Sequence, residues 1–167
     1  MSAFPRTEVG GLSVPRMIVG TNWFRGYSHC TPSKDKLINE LVNSRKAMAD
    51  ILEVFFAAGI NAVMGMADDV LVEAMKDAQD RTGVAGITVS TPSLPFDRQT
   101  ALKGFDKGKV AAILDREVQL GTAICMPHTS VTDVMVDKCS REVRQMAPVC
   151  KMIRERGMIP GLSTHLP

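Results

Sequence analysis

Five short apolar runs alternate with stretches of helical periodicity, and this alternation constrains the chain more than any other feature. The runs are Arg16–Trp23 (RMIVGTNW), Ile60–Met66 (INAVMGM), Val84–Ser90 (VAGITVS), Thr122–Met126 (TAICM) and Met158–Ser163 (MIPGLS). Each is apolar throughout instead of alternating, which predicts parallel strands covered on both faces. Pro160 and Gly161 weaken the last one. Between the first two, Leu37, Leu41, Met48, Ile51, Leu52 and Phe55 recur at helical spacing, with a possible split at Asn43-Ser44. Thr31-Pro32 supplies a cap and a first-turn proline, and Gly59 a stop. Asp68 or Asp69 caps a second helical stretch carrying Leu71, Ala74, Met75 and Ala78 and ending at Gly83. A third carries Val110, Ile113, Leu114 and Val118 and ends at Gly121. Ser140–Arg156 is the fourth, with Pro148 predicting a break near Ala147 and Gly157 a stop. Segments 24–31, 91–97 and 127–137 read as loops.

With 167 residues, 45% of them hydrophobic, the chain can bury one sizeable core, so a single α/β domain over 1–167 is expected. Two architectures accommodate five such strands. One is a partial (β/α)8 TIM barrel; the other is a five-stranded doubly wound, flavodoxin-like sheet. The doubly wound sheet needs a helix after its fifth strand. The chain stops in that strand's exit, which favours a barrel truncated at its C-terminus. Open edges at the first and fifth strands then predict a homo-oligomer or a missing C-terminal segment.

Charge excludes one class: 20 basic against 18 acidic residues, a net +2, argues against a nucleic-acid partner. No apolar run nears the roughly 18 residues of a membrane span. The start, MSAFPRTEVGGLSVPR, has no apolar signal core, which predicts a cytoplasmic protein. The four cysteines (30, 125, 139, 150) form no C-x-x-C pair and read as free, mostly buried thiols. Lys103, Lys107 and Lys109 read as a solvated loop. There is no G-x-G-x-x-G and no P-loop sequence.

Parallel α/β architectures gather function at the C-terminal ends of their strands. His29 follows the first predicted strand, Asp68 and Asp69 the second, Ser90 and Thr91 the third, His128 and Asp133 the fourth, and His165 the fifth. Imidazoles with a carboxylate suit a divalent metal, so His128, His165 and Asp68 are a candidate ligand set for a metal-dependent hydrolase or lyase. No H-x-H or H-E-x-x-H spacing accompanies them. Asp68 and Asp69 also read as helix caps. Cys125, three residues before His128, is a conceivable nucleophile.

Three stretches resemble the aldo-keto reductase family. AAGINAVMGMADDVLVEA (57–74) resembles the family's G-[IV]-N start to its second strand and the helix that follows. AICMPHTSVTD (123–133) resembles its fourth strand, an aliphatic run ending in histidine near a proline and an aspartate. IRERGMIPGLSTHLP (153–167) resembles V-x-x-G-K-I-R-x-I-G-V-S-N-F-S around its fifth. The resemblance implies the first five strand–helix units of a TIM barrel and an NADP-dependent oxidoreductase acting on a small molecule. Ser163 and Thr164 fall on the pair that holds the nicotinamide carboxamide, and Trp23 on a cofactor-lining rim position. The family's Asp-Tyr-Lys-His tetrad is incomplete. His128 lies near its histidine, Asp68 is displaced from its aspartate, and no lysine ends the third strand. Tyr27 is the only tyrosine. The implied catalytic set is therefore His128, Asp68 and Tyr27, with His128 or Tyr27 as the proton donor. A further expectation is a non-catalytic incomplete barrel that self-associates.

Overall fold

In the computed structural model, which describes residues 4–166, the chain divides between Thr88 and Val89 into two compact units. The N-terminal unit opens with an antiparallel hairpin, β1 (Arg6–Val9) and β2 (Leu12–Pro15). Its turn is Gly10-Gly11, with φ of 57° and 83°. Two successive left-handed residues match the twist of the flanking strands, and glycine adopts them with no Cβ penalty. Arg6 anchors the hairpin by donating to Asn61 Oδ1 (3.0 Å) and to the Gly59 carbonyl (3.3 Å).

Next come β3 (Val19–Gly20) and a single 3-10 turn, Trp23–Arg25. Helix α1 (Pro32–Val42) starts at Thr31, whose hydroxyl accepts from the Lys34 N–H at 3.2 Å. Helix α2 (Arg45–Ala57) starts anew at Ser44, so the split at Asn43-Ser44 is present. Then follow β4 (Ala62–Gly65), α3 (Asp69–Thr82) and β5 (Ile87–Ser90). Asp68 caps α3, and Gly83 at φ 70° closes it. The core is the seam of Leu52 and Phe56 from α2 with Leu71, Ala74 and Ala78 from α3. Leu52 and Phe56 are fully buried, each contributing about 1.5–3 kcal/mol. Arg45 and Arg81 also bridge α2 to α3 through Asp77, Glu73, Asp50 and Glu53. Those pairs are largely exposed, so the apolar seam dominates.

The C-terminal unit holds α4 (Arg98–Lys103), α5 (Lys107–Gln119), β6 (Thr122–Cys125) and α6 (Thr129–Met135). A short antiparallel hairpin, β7 (Val136–Asp137) and β8 (Glu142–Val143), leads to α7 (Met146–Arg154) and β9 (Ile159–Pro160). Val110, Leu114, Val149 and Ile153 are fully buried at its centre. Strands β3, β4, β5, β6 and β9 form one parallel sheet in that order. Val19 pairs with Val63, and Ile124 with Ile159. Among the described residues no helix is long and apolar enough to cross a membrane.

All five expected strands exist, shortened. Strand β3 keeps two residues of Arg16–Trp23, because Trp23 already belongs to the turn. Four expectations need correction. The expected loop 127–137 contains α6, because His128 caps a helix there. The expected helix Ser140–Arg156 begins only at Met146, because Arg141 and Gln145 adopt left-handed φ of 57° and 62°. Pro148 then sits in the first turn of α7, where its missing N–H costs no intrahelical bond. Lys103, Lys107 and Lys109 are helical, since Asp97 caps α4 and Asp106 caps α5. All four thiols are free, but Cys30 and Cys139 are exposed, not buried.

One close contact ties the exits of β3 and β4. The Thr21 N–H donates to the Met64 carbonyl at 3.1 Å, and a Cβ on Gly65 would lie 1.8 Å from Thr21 Oγ1. Gly65→Ala is expected to destabilise the protein by about 1–3 kcal/mol, read as a lower urea midpoint. Thr21→Ala in the same chain removes the obstructing hydroxyl and should restore part of the loss. A double variant no better than Gly65→Ala would refute this packing account.

Candidate functional site

In the N-terminal unit the exits of β3 and β4 carry Trp23, Tyr27, His29 and Asp68. Trp23 is 53% exposed, and the Lys34 ammonium lies 4.9 Å from its ring centroid, a cation–π contact. Tyr27 is 59% exposed. The Asn22 amide meets His29 Nε2 at 3.0 Å. Asp68 has both oxygens engaged. One accepts from the Leu71 N–H (2.9 Å) as the cap of α3, and the other from Arg25 Nη2 (2.8 Å). The same arginine nitrogen donates to the Met66 carbonyl. Asp68 is thus a structural anchor. An apolar cavity of about 430 Å³, lined by residues such as Met17, Ile18 and Phe55, lies against β3 and offers no ionisable group.

In the C-terminal unit the strand exits run on as a ladder. The Met126 N–H donates to Ser90 O, His128 N–H to Pro92 O, Gly161 N–H to Cys125 O and Ser163 N–H to Pro127 O. This register lays the segment leaving β9 along α6. There Asp133 collects four hydrogen bonds. Oδ1 accepts from Thr164 Oγ1 (2.6 Å) and the His165 N–H (3.2 Å); Oδ2 accepts from Thr129 Oγ1 (2.8 Å) and His165 Nδ1 (2.9 Å). The Thr164 hydroxyl, then Thr129 and His165, hold the Asp133 carboxyl down at about 2.

A carboxylate only accepts, so a hydrogen of His165 sits on Nδ1, and in the uncharged tautomer the lone pair is on Nε2. The His165 side chain is 78% exposed, while Asp133 is 24% exposed. An imidazole oriented by a half-buried carboxylate has the chemistry to accept and donate a proton.

The other candidates are placed differently. His128 turns Nδ1 inward as the cap of α6, near the Ser130 N–H (3.2 Å) and Oγ (2.8 Å). Cys125 is fully buried, and burial, with Glu117 nearby, pushes its thiol up to about 12. It stays protonated and is no nucleophile at neutral pH. Ser90 is fully buried, and its hydroxyl has no hydrogen-bond partner. Among the described residues no three His, Cys, Asp or Glu side chains gather to hold a metal ion. Of the expected nicotinamide contacts, the Thr164 hydroxyl is committed to Asp133 and the Trp23 ring to Lys34.

Asp133 and His165 lie 32 residues apart, so no spacing in the sequence pairs them. The pairing needs the β6–β9 register. Compared with protein-family models, curated proteins and solved structures, the chain finds no match.

The low Asp133 pKa carries a sign. A carboxylate depressed on folding stabilises the docked segment above its ordinary value of 3.8, and that stabilisation is lost as pH falls through about 2. Amide exchange at His165 should stay protected below pH 3.8 and become fast near pH 2. Asp133→Asn should lack this transition; an identical profile in that variant would disprove the anchor.

Proposed function

We propose that the protein is a small-molecule enzyme of TIM-barrel type, built from five consecutive strand–helix units, in which His165 moves a proton. The strand order supports the barrel reading. It follows the chain without reversal, whereas a flavodoxin-like sheet runs 2-1-3-4-5. The observation that carries the chemistry is the Asp133–His165 hydrogen bond at the exits of β6 and β9. His165 Nε2 takes a proton from carbon next to a carbonyl, leaving an enolate and an imidazolium. Asp133 stabilises the imidazolium charge, and the proton returns to the enolate carbon or oxygen. The substrate ends isomerised, or with that hydrogen exchanged for one from solvent.

The test is solvent exchange. Small 2-oxo acids in D2O, followed by proton NMR, should lose their C3 protons faster with the protein than with equimolar imidazole. His165→Ala should slow this by about 10²–10⁴-fold. Asp133→Asn should slow it too, with the fold retained by circular dichroism. No exchange above the imidazole control would overturn the reading.

A second reading, an NADP-dependent oxidoreductase, draws on the position of Ser163 in the segment leaving β9. Trp23, the only tryptophan, reports on it. Saturable quenching of its fluorescence by NADPH would favour this reading, and none at millimolar NADPH would remove it.

A further inference from the structure

Beside the Asp133–His165 pair lies a cavity of about 500 Å³ under the β7–β8 hairpin. Its walls are Val136, Val143 and Leu166, with Asp137, Lys138, Arg141 and Glu142. Leu166 directly follows His165, so the segment that presents the imidazole also closes this cavity.

The charges here are not balanced one to one. Asp137 is spent within the hairpin. Its Oδ1 accepts from the Cys139 N–H (2.9 Å) and the Ser140 N–H (3.3 Å), and its Oδ2 accepts from Arg144 Nε (3.0 Å). The Arg144 guanidinium beside Asp137 holds that carboxyl well below the usual carboxylate range. Glu142 also faces the Arg144 charge. Three cations therefore meet two carboxylates, and both carboxylates are directed at the same arginine. Among the described residues Lys138 and Arg141 make no ion pair, although both line the cavity. Arg141 is held there at φ 57°, a backbone conformation costly for a residue with a Cβ. Glycine would suit the turn better.

We propose that this cavity binds a small anion, a carboxylate or phosphate group on a short apolar body. Lys138 and Arg141 take the anionic head, and Val136, Val143 and Leu166 take the body. A guanidinium matches the paired oxygens of either head, and an ammonium adds charge without demanding geometry. The assignment of this anion as the substrate rests on the proton transfer proposed for His165; the binding site itself does not.

The test separates the two. Full-length protein is titrated with 2-oxobutanoate, with inorganic phosphate, and with the neutral methyl ester of 2-oxobutanoate, followed by amide chemical shifts and calorimetry. The expected result is binding of 2-oxobutanoate that perturbs Lys138, Arg141 and Leu166, competition by phosphate, and much weaker binding of the ester. Arg141→Gly keeps the turn, so its melting temperature should not fall. Together with Lys138→Gln it should weaken 2-oxobutanoate binding at least about 10-fold. His165→Ala should bind 2-oxobutanoate like the parent while losing exchange. Equal binding of the ester, shifts that fall elsewhere, or an unchanged affinity in the double variant would overturn the site. If phosphate binds and 2-oxobutanoate does not, the head is phosphate and the site stands. Binding as proposed, with exchange unaffected by His165→Ala, would sink the proton-transfer reading alone.

Discussion

Four hydrogen bonds converge on one carboxylate, and the candidate site of the C-terminal unit depends on them. Asp133 is fixed by its place on α6, which His128 starts and whose Val131 and Met135 face the core. The segment after β9 has no regular structure of its own beyond its ladder to β6. Asp133 supplies what that segment lacks, a satisfied partner for a backbone N–H, a hydroxyl and an imidazole together. The geometry around His165 is thus a product of tertiary register, and the imidazole gains its orientation only when the segment is docked.

This explains how much was legible beforehand. Thr31-Pro32, Ser44, Asp68 and Gly83 are local devices, each acting over a few residues, and each appears where the chain's pattern places it. The hairpin at Gly10-Gly11 carries an equally local signal, two glycines between short strands, but β1 is exposed throughout and only Val14 and Pro15 of β2 are buried, so no apolar run marks it. The region from 127 to 146 departs from its pattern for a different reason. Its apolar spacing at Val143, Met146, Cys150 and Ile153 suits a helix, but left-handed backbone at Arg141 and Gln145 interrupts it. Nothing in those two side chains announces such a conformation.

The candidate site follows the same division. His165 and Asp133 both lie beyond strand exits, where the order of the chain puts them. Sequence order does not join them, and at the same exits the side chains of Asp68 and His128 serve as caps. Capping and catalysis draw on the same residue types at the same end of a parallel strand, so residue identity alone does not distinguish them. What distinguishes them is which lone pairs remain unspent, and that is visible only once the partners are in place.

At 1.8 Å from Thr21 Oγ1, the space for a side chain at position 65 is already occupied. The two positions are therefore coupled through one shared volume. Any residue larger than glycine at 65 requires the Thr21 side chain to shift or be replaced by a smaller one, and it still meets Thr21 Cβ at 3.0 Å.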